Sequence, residues 1–425
     1  MKQSALVNGV QRQTEVYRDG VSGKRPRVPT DATLLEDRAR TAMDPEAFAY
    51  IAGGAGTGAT MRFNREGFDR HRIVPRMLRD VAERDTSVEL FGRRHPSPFL
   101  TCPIGVLEMA HDEADLAVAR AAAAEDVTMI ISNQASTPME DIAAALGDSP
   151  RWFQLYWSTS NELVESLVGR AEACGCEAIV VTLDTTLLGW RTRDLDIAYL
   201  PFLRGKGIAQ YTSDPVFRRI AESGEGVQTP EQPAPTPQAL KTLVELTKNH
   251  PDPFVKGLTS GSARAAVQTF VQIYSRPSLT WEDLPFLRER TKLPILLKGV
   301  LHRDDAARAV EEGIDGLVVS NHGGRQVDGG IATIDALPGI AEAVGGRIPV
   351  ILDSGIRGGA DAFKALALGA TAVGIGRPYC YGLAIAGETG VREVLRNFRA
   401  DFDLTMGLAG CRSVGEIGPE ALARA

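Results

Sequence analysis

Several things are scarce or absent in this chain of 425 residues, beginning with positive charge: 47 Lys and Arg stand against 54 Asp and Glu, a formal charge of −7. A nucleic-acid or anionic-membrane surface needs the opposite sign, so any anion bound here must be held by a local cluster of Arg or Lys. No apolar run approaches the roughly 18 residues of a membrane-spanning helix. The opening stretch MKQSALVNGVQRQTEVYRDG has no apolar signal core, and a cytoplasmic protein is expected. Cysteine is down to five residues, Cys102, Cys174, Cys176, Cys380 and Cys411, with no CxxC pair. That fits reduced thiols better than disulfides or zinc, and it leaves no c-type haem attachment and no expected metal. The G-x-G-x-x-G that opens a doubly wound dinucleotide fold is missing after the first strand-like run, TCPIGV.

What is present is a rhythm. Short apolar, β-branched runs recur: FLTCPIGV (99–106), TMIIS (128–132), WFQLYW (152–157), AIVVTLD (178–184), PILLKGV (294–300), GLVVSNHG (316–323), PVILDSGI (349–356) and AVGIGR (372–377). Amphipathic stretches such as NELVESLVGRAEACG and GADAFKALALG lie between them, several ending in the glycine that stops a helix. Eight such alternations predict an α/β fold, a (β/α)8 TIM barrel; a doubly wound sheet, the alternative, usually has fewer strands. Residues 1–95 are expected to form an N-terminal helical segment covering one end, 96–390 the barrel, and 391–425 a C-terminal helical tail. The long insertion after strand 4, 192–277, includes the Pro-, Gly- and Gln-rich run GEGVQTPEQPAPTPQ (224–238), which resists regular structure. On the catalytic face such an insertion reads as a mobile lid, an oligomer contact or a passive loop.

The strand ends carry the chemistry. In order they offer Ser132; Gln154 and Tyr156; Thr182 to Asp184; Lys298; Ser320, His322 and Arg325; Asp353, Gly355 and Arg357; and Gly376 with Arg377. One buried lysine or histidine is ordinarily structural. A ring of them at the C-terminal mouth of a barrel needs partners, and a large polar ligand supplies them. The glycines and arginines after strands seven and eight suit a phosphate. His322 titrates near neutrality beside Arg325, a fixed cation that grips carboxylates, with Arg191 a second clamp and Arg193 a weaker one. A base, two arginines and a phosphate-bearing cofactor suggest proton abstraction from a small carboxylic acid, with Asp184 orienting His322.

The stretches SNHGGRQ, DSGIRGGADAFKALALGA, VGIGRP, LLKG and VTLDT resemble the FMN-dependent α-hydroxy acid oxidase and dehydrogenase family, over about residues 31 to 410. Within it, AYIAGGAG, PRMLRD, CPIGV, FQLYW, TLDTTLLGWRTRDL, LPFLRG and TSDPVF are similar to the lactate 2-monooxygenases. The resemblance implies FMN as cofactor and His322 as base, with Asp184 behind it. It implies that Arg325, Arg191 and the Tyr50 hydroxyl hold the substrate carboxylate while Tyr156 bonds near the substrate hydroxyl. Lys298 would sit at the flavin N1/O2 edge, stabilising negative charge there. Ser132, Gln154 and Thr182 would bond the ring's polar edge, Pro103, Ile104 and Gly105 lie against the ring, and Ser320 helps hold it. Asp353 would bind the ribityl chain, and Gly355, Arg357, Gly376 and Arg377 the phosphate.

The implied reaction oxidises a lactate-like L-2-hydroxy acid with O2 as acceptor, since neither haem motif nor membrane segment is present. The keto acid, if trapped, is decarboxylated to a carboxylic acid, carbon dioxide and water; if released first, it leaves with hydrogen peroxide. A flavin- or phosphate-binding barrel without turnover is the reading from another class. Because the base must be neutral, activity is expected to fall below about 6.5, the pKa of free imidazole. The resemblance also implies a homotetramer. Four positions depart from the family pattern. Thr57 and Gly58 replace an acidic or amide pair, which is expected to loosen the turn that holds Tyr50; Gln134 replaces an apolar residue facing the substrate side chain, and Glu108 has no assigned role.

Overall fold

The computed structural model describes residues 8–224 and 236–424. Eight parallel strands close on themselves: β1 (Phe99–Thr101), β2 (Thr128–Ile131), β3 (Arg151–Leu155), β4 (Ile179–Thr182), β5 (Ile295–Lys298), β6 (Gly316–Val319), β7 (Val350–Leu352) and β8 (Ala372–Ile375). They neighbour one another in chain order, and β8 pairs back onto β1, so the expected (β/α)8 barrel is the fold. Both faces of each strand are covered, which is why the runs read as continuous apolar blocks rather than alternating ones.

Alternation still sorts the residues inside. Leu100, Ile130, Trp152, Val180, Leu296, Val318, Ile351 and Ala372 form a core cluster of their own, the filling of the barrel lumen. Strand side chains repeat their direction every second residue. The residues two further along are Cys102, Ser132, Gln154, Thr182, Lys298, Ser320, Asp353 and Gly374. That period directs them toward the same lumen, one layer nearer the C-terminal mouth. An apolar floor thus passes into a polar layer within two residues of each strand. The register helps: Thr182 pairs with Lys298 across β4 and β5.

The segments outside the barrel depart from the helical expectation. Residues before the barrel do form helices Gly9–Val21, Leu35–Ala42, Pro45–Ala52 and Ala59–Asp69, but three short strands accompany them. A hairpin, Val88–Leu90 with Arg93–His95, puts Leu90 and Phe91 against the lumen cluster, with the Phe91 and Trp152 rings 5.5 Å apart. Its turn residues Phe91 and Gly92 both have positive φ, yet Phe-Gly is not the Asn-Gly signal that announces such a turn. His71–Ile73 pairs antiparallel with Leu422–Arg424, so the tail also ends in a strand. The helical span Arg377–Leu408 is broken at Ala386 and Gly387, whose φ and ψ are not helical, so its second half begins close to the expected boundary at 390.

The described part of the insertion is helical. Its helices Pro215–Ser223, Pro237–Lys248 and Ser262–Ile273 gather round the buried rings of Tyr211, Phe217 and Phe270, 4.8 to 5.4 Å apart. Of the run 224–238 expected to lack regular structure, residues 225–235 lie outside the described residues. Its end begins a helix, with Thr236 capping Ala239 N–H and Pro237 in the first turn.

Candidate active site

The loop after β6 places a histidine in an uncommon conformation. His322 has φ +56°, and Gly323 and Gly324 follow with positive φ. A non-glycine residue held there costs about 1–3 kcal/mol and persists only where its surroundings fix it. Here they do: Asn64 and Asn321 exchange side-chain amide bonds of 2.9 and 2.7 Å, and Gly323 N–H donates to Ser354 Oγ at 2.9 Å. His322 Nδ1 then lies 2.8 Å from Asp184 Oδ1, which also accepts from the Thr185 hydroxyl at 2.9 Å. With Nδ1–H committed to Asp184, the neutral ring keeps Nε2 free to accept a proton.

Burial pushes the His322 pKa below 6.5 even though Asp184 pulls it up. Burial alone would raise Asp184, but His322 and Lys298 outweigh it and hold the carboxyl down at about 2. Asp184 is therefore a fixed anion. Its partner titrates below the ordinary imidazole value, so a base at this position would lose activity only below the 6.5 expected from free imidazole.

Two guanidiniums face the same space. Arg325 donates to the carbonyls of Tyr50 and Gly53, with its Cζ 4.9 Å over the Tyr50 ring. Arg191 bonds the Gln326 side chain at 3.0 Å, and Gln326 in turn donates to the carbonyls of Asp184 and Leu187. Burial, then repulsion from Arg191, brings Arg325 down to about 9. The pair is short of an anion. Arg193 is exposed and outside the cleft, so the weaker clamp candidate is not part of it. Burial lifts the Tyr156 hydroxyl to about 12, which keeps it a hydrogen-bond donor.

Below them runs a polar row. Ser132 Oγ donates to Gln154 Oε1 at 3.1 Å, and Gln154 Nε2 donates to Thr182 Oγ1 at 2.9 Å. Lys298 Nζ donates to Ser320 Oγ at 2.9 Å and lies 3.4 Å from Asp353 Oδ2. Asp353 and Asp184 together hold the ammonium charged against burial, with its pKa above the ordinary lysine value.

Further along, Arg357 and Arg377 flank glycines. Arg377 bonds the carbonyls of Ile51, Gly53 and Gly323, and Arg357 that of Ile356. Burial and the neighbouring Arg377 drop Arg357 to about 10. Gly355 has φ +96°, and a Cβ there would meet Asn64 O at 2.8 Å. A buried guanidinium pair on a backbone that admits no side chain fits a phosphate. The row from Ser132 to Lys298 fits the polar edge of a flat ring.

The cleft between these groups encloses about 1050 Å³ of atom-free space, including its open mouth. Of the residues singled out from sequence, Tyr50, Pro103, Ile104, Gly105, Ser132, Tyr156, Arg191, Lys298, His322 and Arg325 line it, with Asp353, Gly355, Arg357, Gly376 and Arg377 at the phosphate end. Asp184, Gln154, Thr182 and Ser320 do not border it; they stand directly behind His322, Ser132 and Lys298. Sequence reasoning passed over Cys102, Thr185, Leu188, Phe202, Ser354 and Tyr274, which also line the cleft. The period of two could have found Cys102, and adjacency Thr185. Nothing in the sequence brings Phe202 or Tyr274 there.

The profile of the FMN-dependent dehydrogenases matches residues 39–424. The chain belongs to that family. It is 42% identical over 98% of its length to an FMN-dependent alpha-hydroxy acid dehydrogenase of Penicillium citrinum, covering 96% of that protein. It is 43% identical to an L-lactate oxidase of Lysinibacillus sphaericus, over 86% of each chain. In three dimensions it resembles mandelate oxidase solved with (S)-4-hydroxymandelic acid, with a TM-score of 0.76 and 36% identity over 93% of this chain and 99% of that one. FMN is the cofactor the cleft is built for, and the chain is an FMN-dependent oxidoreductase of the 2-hydroxy acid class.

Proposed function

We propose that the enzyme oxidises a small L-2-hydroxy acid, uses O2 as electron acceptor, and decarboxylates the retained 2-keto acid to a carboxylic acid, carbon dioxide and water. The observation that carries the oxidation is the His322–Asp184 pair facing the same cleft as Arg191, Arg325 and Lys298. Arg191 and Arg325 receive the substrate carboxylate, which supplies the anion that the two guanidiniums lack. Tyr50 and Tyr156 orient the hydroxy carbon, and His322 Nε2 takes a proton from the substrate. Asp184 stabilises the imidazolium so formed. FMN, bound by the residues described above, supplies a two-electron acceptor that oxygen re-oxidises. Lys298 holds positive charge where negative charge would develop.

Retention is supported by the insertion's share of the cleft wall. Leu188, Phe202 and Tyr274, all from the chain between β4 and β5, line the cleft. The oxidase relatives favour a second reading, release of the keto acid with hydrogen peroxide. Anaerobic bleaching of the flavin by a panel of 2-hydroxy acids tests the oxidation. Carbon dioxide and peroxide measured in air separate the two fates, and stoichiometric peroxide with intact keto acid refutes decarboxylation.

A further inference from the structure

Glu108 stands outside the catalytic constellation, on the loop after β1, and it reaches the insertion. Its Oε1 accepts the Gly207 backbone N–H at 2.9 Å. Its own N–H donates to Ser136 Oγ at 3.1 Å, and Ser136 N–H donates to the fully buried Asp115 at 2.8 Å. The backbone of Glu108 is thus held from the barrel side while its carboxyl meets the insertion. Burial raises its pKa, while Gly207 N–H and Lys206 act against that rise.

Gly207 is no incidental partner. With φ +68°, it sits so close to the barrel that a Cβ would meet Val106 Cγ2 at 2.5 Å and Gln134 O at 3.1 Å. Residues 201–207 form one tight unit, because Gly205 N–H bonds Phe202 O and Lys206 N–H bonds Pro201 O. What fixes Gly207 therefore fixes Phe202. The Phe202 ring stands edge-on to Tyr50 at 6.3 Å and against Phe270 at 5.2 Å, forming part of the cleft wall.

We propose that Glu108 is a positioning residue that latches the insertion to the barrel rim through Gly207, setting Phe202 over the bound acid and so governing how long the 2-keto acid stays. Its consequence for products rests on the retention reading above. Other bonds join the two parts, such as Ala209 N–H with Ala135 O at 3.3 Å and Gln210 Oε1 with Met139 N–H at 2.9 Å, but these lie beyond the turn that carries Phe202. Losing Glu108 should loosen that turn without detaching the insertion.

The test compares wild-type holoenzyme with Glu108→Ala and Glu108→Gln, the second keeping an oxygen that can accept the Gly207 N–H. A hydrogen bond to a charged group contributes enough to change an equilibrium about tenfold. In Glu108→Ala, we expect 2-keto acid binding to the oxidised holoenzyme, read from the flavin spectrum, to weaken about tenfold. We expect the ratio of carbon dioxide to peroxide in air to fall by a similar factor. Anaerobic flavin reduction at saturating substrate should stay within about twofold of wild type, and Glu108→Gln should recover most of both losses. Unchanged keto acid binding in Glu108→Ala overturns the proposal. So does a Glu108→Gln enzyme as impaired as the alanine variant, or a reduction rate that falls in step with affinity. If the wild type itself makes stoichiometric peroxide, decarboxylation fails, and the keto acid binding comparison still decides the role of Glu108.

Discussion

Replacing Asp184 by Asn tests the centre of the mechanism. Against burial, His322 and Lys298 hold the carboxyl down at about 2, so it is an anion throughout the working pH range. Its 2.8 Å hydrogen bond to His322 becomes one between two charges as the ring gains its proton, and a hydrogen bond to a charged group contributes about 1.5–3 kcal/mol. Losing it should slow flavin reduction at saturating substrate at least about tenfold. The amide can also donate to Nδ1 and send the ring proton to Nε2, and that wrong tautomer costs a serine protease about 10⁴ in rate. The pH profile supplies a second sign. His322 acts when neutral, and Asp184 raises its pKa against burial. Removing that charge lowers the pKa further, so the acid limb must move to lower pH as the maximal rate falls. Anaerobic stopped-flow bleaching over a pH series reads both. A loss below threefold, or an acid limb that moves up, refutes the assignment of His322 as base with Asp184 as its charged partner.

Other expectations follow from the same contacts. Lys298→Met leaves Asp353 a buried charge without its cation; breaking such a pair costs about 3–5 kcal/mol, visible as a lower melting temperature that Lys298→Met/Asp353→Asn partly restores. Arg357→Ala should weaken FMN binding at least about tenfold by fluorescence titration. It should leave the melting temperature of the apoprotein unchanged or higher, since a like charge facing Arg377 has gone. Arg325→Lys cannot reach the Tyr50 and Gly53 carbonyls and still present a planar fork to a carboxylate. KM for the 2-hydroxy acid should rise at least about tenfold, and an unchanged KM would place the substrate carboxylate elsewhere.

The barrel was legible because its strands are buried on both faces, so each leaves a compact, mostly apolar block. The polar mouth was legible for a related reason. Six of the eight blocks end in a hydrogen-bonding residue where a lumen position should be apolar, as Lys298 follows Leu296 and Asp353 follows Ile351. What stayed hidden depends on contacts with no local signature. Phe202 reaches the cleft because the insertion packs round Tyr211 and Phe270, and Tyr274 because its ring stacks on Phe270. The departure at Thr57 looked like a loosening of the turn that holds Tyr50. Instead, Thr57 gives both its N–H and its hydroxyl to Asp328, at 2.7 and 2.8 Å, and fastens that turn to the loop of His322. The partner lies 271 residues away, and no periodicity reports it.

The charge of the cleft explains why the N-terminal segment belongs to the active site although it gives the barrel no strand. The chain is acidic overall, yet Arg191, Arg325, Arg357, Arg377 and Lys298 converge on one space. Carboxylates answer only part of this, through Asp353 and Asp184 near Lys298 and Asp194 near Arg325. Peptide carbonyls answer much of the rest. The helix Pro45–Ala52 ends against the cleft, and the carbonyls of Tyr50, Ile51 and Gly53 at its C-terminus accept from Arg325 and Arg377. A helix C-terminus carries partial negative charge and four unpaired carbonyls. It steadies a guanidinium without neutralising it, as a carboxylate would. The arginines therefore remain oriented and still short of a full counter-charge, which is the condition a site needs if a phosphate and a substrate carboxylate are to complete it.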